Sequence, residues 1–174
     1  LIHVSNFRPV KQVDQVVRAF ELVQRKIAAH LVLVGDGPDR SRIQALVREL
    51  KLKDKVCFLG KQDSIAEILQ RSHVFLLPSK NESFGLAALE AMSCGIPVVA
   101  SNVEGVPEVI TDHEVGFLTP PDDVAAMAAR CLELLNDPEL YRRMSRLARQ
   151  RALTHYDKQK VTDLFERCYL NLLK

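Results

Sequence analysis

No stretch of this chain approaches the ~20 consecutive apolar residues that a bilayer-spanning helix needs, so no transmembrane segment is expected. Charge of one sign is not in excess either. The formal net charge is +2, too weak a field to mark a nucleic-acid or polyanion partner. The four cysteines, Cys57, Cys94, Cys131 and Cys168, are evenly spaced, but they share no local context and form no C-x-x-C pair. That argues against a zinc site and for buried free thiols in a reducing cytoplasm. His3, His30, His73, His113 and His155 are scattered, and none has a partner at metal-ligand spacing. The start of the chain shows no secretory-signal pattern. It has no initiator Met, and Leu1-Ile2-His3-Val4 already reads as a strand, so the chain is expected to be a piece of a longer protein.

What is present is ordinary globular composition, 47% hydrophobic and 26% charged, enough for one domain over residues 1–174. Nearly continuous apolar runs at Leu1–Ser5, Leu31–Val34, Val56–Leu59, Val74–Leu77, Val98–Ala100 and Gly116–Leu118 predict strands covered on both faces. Helical spacing lies between them: Val13, Val16, Val17 and Phe20, then Ile43, Leu46, Val47 and Leu50, then short segments at Ser64–Arg71 and Phe84–Cys94. This alternation predicts an α/β fold, a Rossmann-like parallel sheet with helices on both faces and ligands at the strand C-termini. After Thr119-Pro120-Pro121 the pattern becomes a helical C-terminal tail. Asp122 or Asp123 caps one helix, Pro138 starts the next, and Val161, Leu164, Phe165, Cys168 and Leu172 mark the last.

The most informative segment is Glu82-Ser83-Phe84-Gly85-Leu86-Ala87-Ala88-Leu89-Glu90. Ser83 is suited to cap a helix whose first turn is Phe84, Gly85 and Leu86; Gly95 and Pro97 end it. Such an N-terminus presents free N–H groups and a partial positive charge, which together suit a phosphate. Glu90 lies roughly 9 Å along the axis. One ligand can therefore span the segment, with a sugar at Glu82, a diphosphate at the helix end and ribose hydroxyls at Glu90.

Glu82 to Glu90 with S-F-G-L inside, followed by L-E-A-M, C-G-I-P-V-V-A and G-V-P-E-V-I, resembles the signature of the retaining, glycogen-synthase-like glycosyltransferases (family 4) of GT-B fold. The resemblance covers essentially the whole chain, but only the C-terminal, donor-binding half of such an enzyme. It implies a missing N-terminal acceptor domain, a cytoplasmic enzyme inactive as this piece alone, and a final helix whose apolar face lacks part of its normal cover. A homo-oligomer of the full-length enzyme is left open.

The resemblance also implies roles for particular residues. Lys11 falls on the position of a family lysine that neutralises the donor diphosphate. Asn6 stands where the family has arginine, and Arg8 is offered as its substitute. Gly35, in Val34-Gly35-Asp36-Gly37-Pro38, lies in the loop beside the nucleoside. Lys61 and Gln62 follow the third strand, where the family reads the base edge; an ordinary loop capped by Asp63 or Ser64 is the alternative. Glu82 holds sugar hydroxyls, Ser83, Phe84, Gly85 and Leu86 surround phosphate and sugar, and Glu90 accepts from ribose. No metal or cofactor is implied: the chain has no D-x-D, and the donor substrate is a UDP-sugar. Gly105-Val106-Pro107-Glu108 reads as a helix start supporting the site. The runs S-N-F-R-P-V-K, V-G-D-G-P and F-L-G-K-Q-D are most similar to the branch that moves N-acetylglucosamine from UDP-GlcNAc to L-malate in bacillithiol biosynthesis. Transferases of glycolipid or surface-polysaccharide synthesis, and a non-catalytic nucleotide-sugar binding module, remain alternatives. A nucleotide-sugar epimerase of similar shape is disfavoured by E-S-F-G-L.

Overall fold

The computed structural model describes residues 1–173. It contains one parallel sheet of six strands: β1 (Ile2–Val4), β2 (Leu31–Val34), β3 (Val56–Gly60), β4 (Phe75–Leu77), β5 (Val98–Ser101) and β6 (Gly116–Thr119). Each predicted strand is present, to within one residue at either end. The helices are α1 (Val13–Gln24), α2 (Arg40–Glu49), α3 (Ala66–Gln70), α4 (Leu86–Ser93), α5 (Val106–Val109), α6 (Val124–Asn136), α7 (Pro138–His155) and α8 (Lys158–Leu172), with a 3-10 turn at Pro9–Lys11.

The strand order is β3-β2-β1-β4-β5-β6. From β1 the chain builds outward through β2 and β3; from β4 it builds the other way. The order therefore reverses between β1 and β4, whose loops diverge to opposite faces and leave a crevice beyond their C-terminal ends.

Two apolar layers enclose the sheet. On one face Val13, Val16, Val17, Phe20 and Val23 of α1, spaced as one helical stripe, are fully buried with Leu31, Leu33, Met127, Cys131 and Leu134. On the other, Ile2, Phe75, Leu77, Val98 and Ala100 meet Ala88, Ala91 and Met92 of α4 and Ala148 and Ala152 of α7. Burying each larger side chain contributes about 1.5–3 kcal/mol. The alanines on α4 and α7 let these two helices approach closely, which fixes α4 against the sheet.

Helix starts follow the capping chemistry only in part. Asp123 accepts from the Ala126 amide at 2.8 Å, and Asp137 accepts from the Glu139 and Leu140 amides ahead of Pro138. Neither Asp63 nor Ser64 caps α3; Ile65 occupies that position with no side-chain bond. α8 has no buried residue, and Leu164, Phe165, Tyr169, Leu170 and Leu172 are 60–78% exposed. The final helix thus lacks cover, as expected. Among the described residues no helix is long and apolar enough to cross a membrane.

Candidate functional site

The crevice between β1 and β4 has a volume of about 310 Å³ and is lined by Ser5, Asn6 and Lys11 from the β1 side and by Glu82, Leu86 and Ala87 from the β4 side. Residues 71 positions apart meet across it: Lys11 Nζ donates to Glu82 Oε2 at 2.6 Å. The side chains are 23% and 14% exposed, so the pair is partly shielded from water yet open to a ligand. Ser79, fully buried, donates to the same carboxylate oxygen at 3.3 Å. Among the described residues Glu82 Oε1 has no protein partner, and it remains an acceptor for a ligand hydroxyl.

The backbone that carries Glu82 is clamped. The Glu104 carboxylate accepts from the Glu82 amide at 2.9 Å and from Asn81 Nδ2 at 2.7 Å. The Gly105 amide donates to the Glu82 carbonyl at 3.2 Å. A Cβ at Gly105 would stand 2.0 Å from the Ser83 carbonyl oxygen, so only glycine admits this approach. The clamp is anchored from behind. Arg151 donates to the carbonyls of Val109 and Glu108, and Tyr156 Oη to that of Glu108, at 2.8–2.9 Å. Tyr156 also meets Phe84 edge to face at 5.7 Å. The G-V-P-E segment thus braces the loop that carries Glu82. Glu104, Ser79 and Asn81 were not identified by sequence, because their partners are set only by the tertiary fold.

The start of α4 corrects the sequence reading. Ser83 does not cap it, and Phe84 and Gly85 are not in its first turn. Leu86 is the first helical residue, and Gly85 precedes it with φ 90°, ψ 44°. At this φ an L side chain is strained, and that strain selects glycine here; an added Cβ would meet nothing closer than 3.6 Å. The first helical bond runs from the Leu89 amide to the Gly85 carbonyl, so the amides of Leu86, Ala87 and Ala88 have no acceptor within the helix. Leu86 is 62% exposed and Ala87 half-buried, and both line the crevice, whereas Ala88 is fully buried in the core. Glu90 lies four residues beyond Leu86, about 6 Å along the axis and on the same face. Its carboxylate has no protein partner among the described residues, and partial burial raises its pKa.

The other expected residues divide. Gly35 has φ 118°, and an added Cβ would lie 1.8 Å from the Ser5 carbonyl oxygen. Its close approach is to the protein's own β1 loop rather than to open ligand space. Gln62 is exposed and donates to the Leu59 carbonyl at 2.8 Å, and Lys61 is exposed beside it. Arg8 is exposed and lies outside the crevice lining, whereas Asn6 is part of it. A larger concavity of about 590 Å³ sits at the opposite ends of the strands, beside Leu1, His30 and His73. It has neither an ion pair nor an open helix N-terminus of α4's length, so size does not decide the site. Among the described residues no group of three or more His, Cys, Asp or Glu is placed to hold a metal ion.

A family profile described as "Glycosyl transferases group 1" matches residues 1–151. Over 174 residues the chain is 44% identical to N-acetyl-alpha-D-glucosaminyl L-malate synthase of Bacillus anthracis, covering 100% of this chain and 46% of that protein. Among solved structures it is similar to sucrose-phosphate synthase from Thermosynechococcus elongatus, at 32% identity and TM-score 0.91 over 99% of this chain and 45% of that one. It is also similar to S. aureus TarM in complex with fondaparinux, alpha-GlcNAc-glycerol and UDP, at 25% identity and TM-score 0.90 over 95% of this chain and 34% of that one. The chain therefore spans about half the length, or less, of these relatives.

Proposed function

This chain belongs to the group 1 glycosyl transferases, and we propose that it forms the donor half of a retaining, metal-independent transferase that moves N-acetylglucosamine from UDP-GlcNAc to L-malate. The observation that carries the donor-site reading is the convergence of Lys11, Glu82 and the open N-terminus of α4 in one crevice, with the unpaired Glu90 farther along the same helix face. The named sugar and acceptor rest on the 44% identity to the malate synthase. The acceptor site is assigned to a domain outside residues 1–174.

In this reading the Leu86 and Ala87 amides and the Lys11 ammonium hold the diphosphate. Glu90 accepts from the ribose hydroxyls. Glu82 Oε1 accepts from a sugar hydroxyl, and its charge favours the cationic character that develops at the anomeric carbon. The bond from that carbon to the UDP oxygen breaks as the acceptor oxygen bonds on the same face. The acceptor proton passes to the departing phosphate. Negative charge grows on UDP in that step, and fixed donors aimed there lower the barrier without reorganising. Ser83 and Phe84 carry the loop that presents these groups. Arg8 serves as a solvent-side cation, Gly35 holds the β1 loop beside the nucleoside, and Lys61 and Gln62 border the base. The expectation of buried thiols holds for Cys131 only; Cys57 and Cys168 are exposed, and we place the enzyme in the cytoplasm, where such thiols stay reduced.

Calorimetric titration with UDP tests this. Lys11→Ala and Glu90→Gln should each weaken UDP by roughly 10- to 100-fold, the range for a hydrogen bond to a charged group. Wild-type affinity in both variants rejects the site. Malate-dependent UDP release by the full-length protein identifies the acceptor; release with a lipid or polysaccharide acceptor instead selects the other transferase reading.

A further inference from the structure

His3 lies in β1, wholly buried beneath the crevice floor. Its Nδ1 is 2.8 Å from the Leu76 carbonyl oxygen, and its Nε2 is 2.7 Å from Ser5 Oγ. A carbonyl oxygen cannot donate, so Nδ1 carries a proton. Burial, the largest effect, pushes the His3 pKa down to about 4; the bond to Leu76 opposes this and the Lys11 charge assists it. The imidazole is therefore neutral at neutral pH, and Nε2 offers a lone pair. Ser5 has one hydroxyl proton and must donate it inward to Nε2. Its Oγ is left with lone pairs only, and Ser5 lines the crevice together with Lys11, Glu82 and Leu86.

We propose that Ser5 is a binding residue for a hydroxyl or amide N–H of the donor sugar, and that His3 is the positioning residue that commits it to accept. A diphosphate ester has no proton to give, so Ser5 is mismatched to the phosphates. The crevice is thereby divided. Lys11 and the α4 amides supply donors for the diphosphate; Ser5 Oγ and Glu82 Oε1 supply acceptors for the sugar. The division discriminates a nucleotide-sugar from the free nucleotide, and favours release of the product once the sugar has left. This inference rests on the donor-site reading above.

The test compares UDP and UDP-GlcNAc on the wild-type protein, Ser5→Ala and His3→Phe by calorimetry. Ser5→Ala should weaken UDP-GlcNAc about fivefold, the usual scale of one uncharged hydrogen bond, while UDP stays within twofold. His3→Phe frees the Ser5 hydroxyl to donate, so the preference for UDP-GlcNAc over UDP should fall. Imidazole 15N shifts of the wild-type protein, which need no variant to fold, should show His3 in the Nδ1–H tautomer. Equal losses for both ligands in Ser5→Ala, no loss for either, or an Nε2–H tautomer overturns the inference and leaves the donor site standing. A wild-type protein that binds neither ligand overturns the donor-site reading and this inference with it.

Discussion

Gly105→Ala places a methyl group where the Glu82–Phe84 loop already lies. The new Cβ would be 2.0 Å from the Ser83 carbonyl oxygen, 2.7 Å from its carbon and 3.3 Å from Phe84 Cα, all main-chain atoms that cannot rotate aside. Cβ atoms essentially never approach within 3.0 Å, so the loop must retreat by about 1 Å. That moves Glu82 away from Lys11 and shifts the approach to α4. A misplacement of this size costs on the order of 100-fold in rate, and overpacking costs about 1–3 kcal/mol of stability. For a domain this long each kcal/mol lowers Tm by about 2–4 °C. Gly116→Ala is the control. Its Cβ would sit 2.3 Å from the Val98 carbonyl oxygen, a comparable clash at the far ends of β5 and β6. Both variants should melt earlier, but only Gly105→Ala should lose UDP affinity in the folded protein and kcat/KM in the full-length enzyme. Wild-type UDP affinity in Gly105→Ala would refute the clamp.

Two pH dependences follow from groups that the fold desolvates, wholly at His3 and in part at Glu90. The folded His3 pKa of about 4 lies below its ordinary 6.5, so between these values the unfolded chain binds the proton and the folded chain does not. Stability contributed by neutral His3 is complete above about pH 6.5 and is lost towards pH 4, by about 3 kcal/mol in all. Urea unfolding of the wild-type protein minus that of His3→Gln across this window should show the loss; a flat difference contradicts it. Glu90 has the opposite sign, because its raised pKa means that the folded protein holds the proton more tightly. Its charged form opposes folding at neutral pH, so Glu90→Gln should be neutral or stabilising in thermal melts while it weakens UDP. In the wild-type protein UDP affinity should fall on acidification, starting above the pH at which an ordinary glutamate takes up its proton, and this fall should be smaller in Glu90→Gln.

The sheet was legible because its strands are covered on both faces and read as short apolar runs. Val98–Ser101 and Leu31–Val34 have no polar side to confuse them with helix. The Glu82 to Glu90 segment was legible as a helix start because a glycine and small residues open a helix there. Its detailed start was not. Ser83 is a good cap by local chemistry, but the chain turns through Gly85 in a left-handed conformation before the helix begins. Lys11 and Glu82 were each recognisable, but their contact across 71 positions depends on β1 and β4 being neighbours. His3 read as an isolated histidine because its Nδ1 partner, the Leu76 carbonyl, is defined only once β1 lies beside β4, while a serine two residues on is no signal by itself. Glu104 likewise acts through a main-chain amide 22 residues away, which leaves no local spacing to find.

The most direct measurement is a backbone amide NMR map of this chain titrated with UDP. The largest shifts should fall at Leu86 and Ala87, with smaller ones at Ser5, Lys11, Glu82 and Glu90. Saturable shifts confined to the opposite strand ends around Leu1, His30 and His73, or no shifts at millimolar UDP, would contradict the donor-site reading.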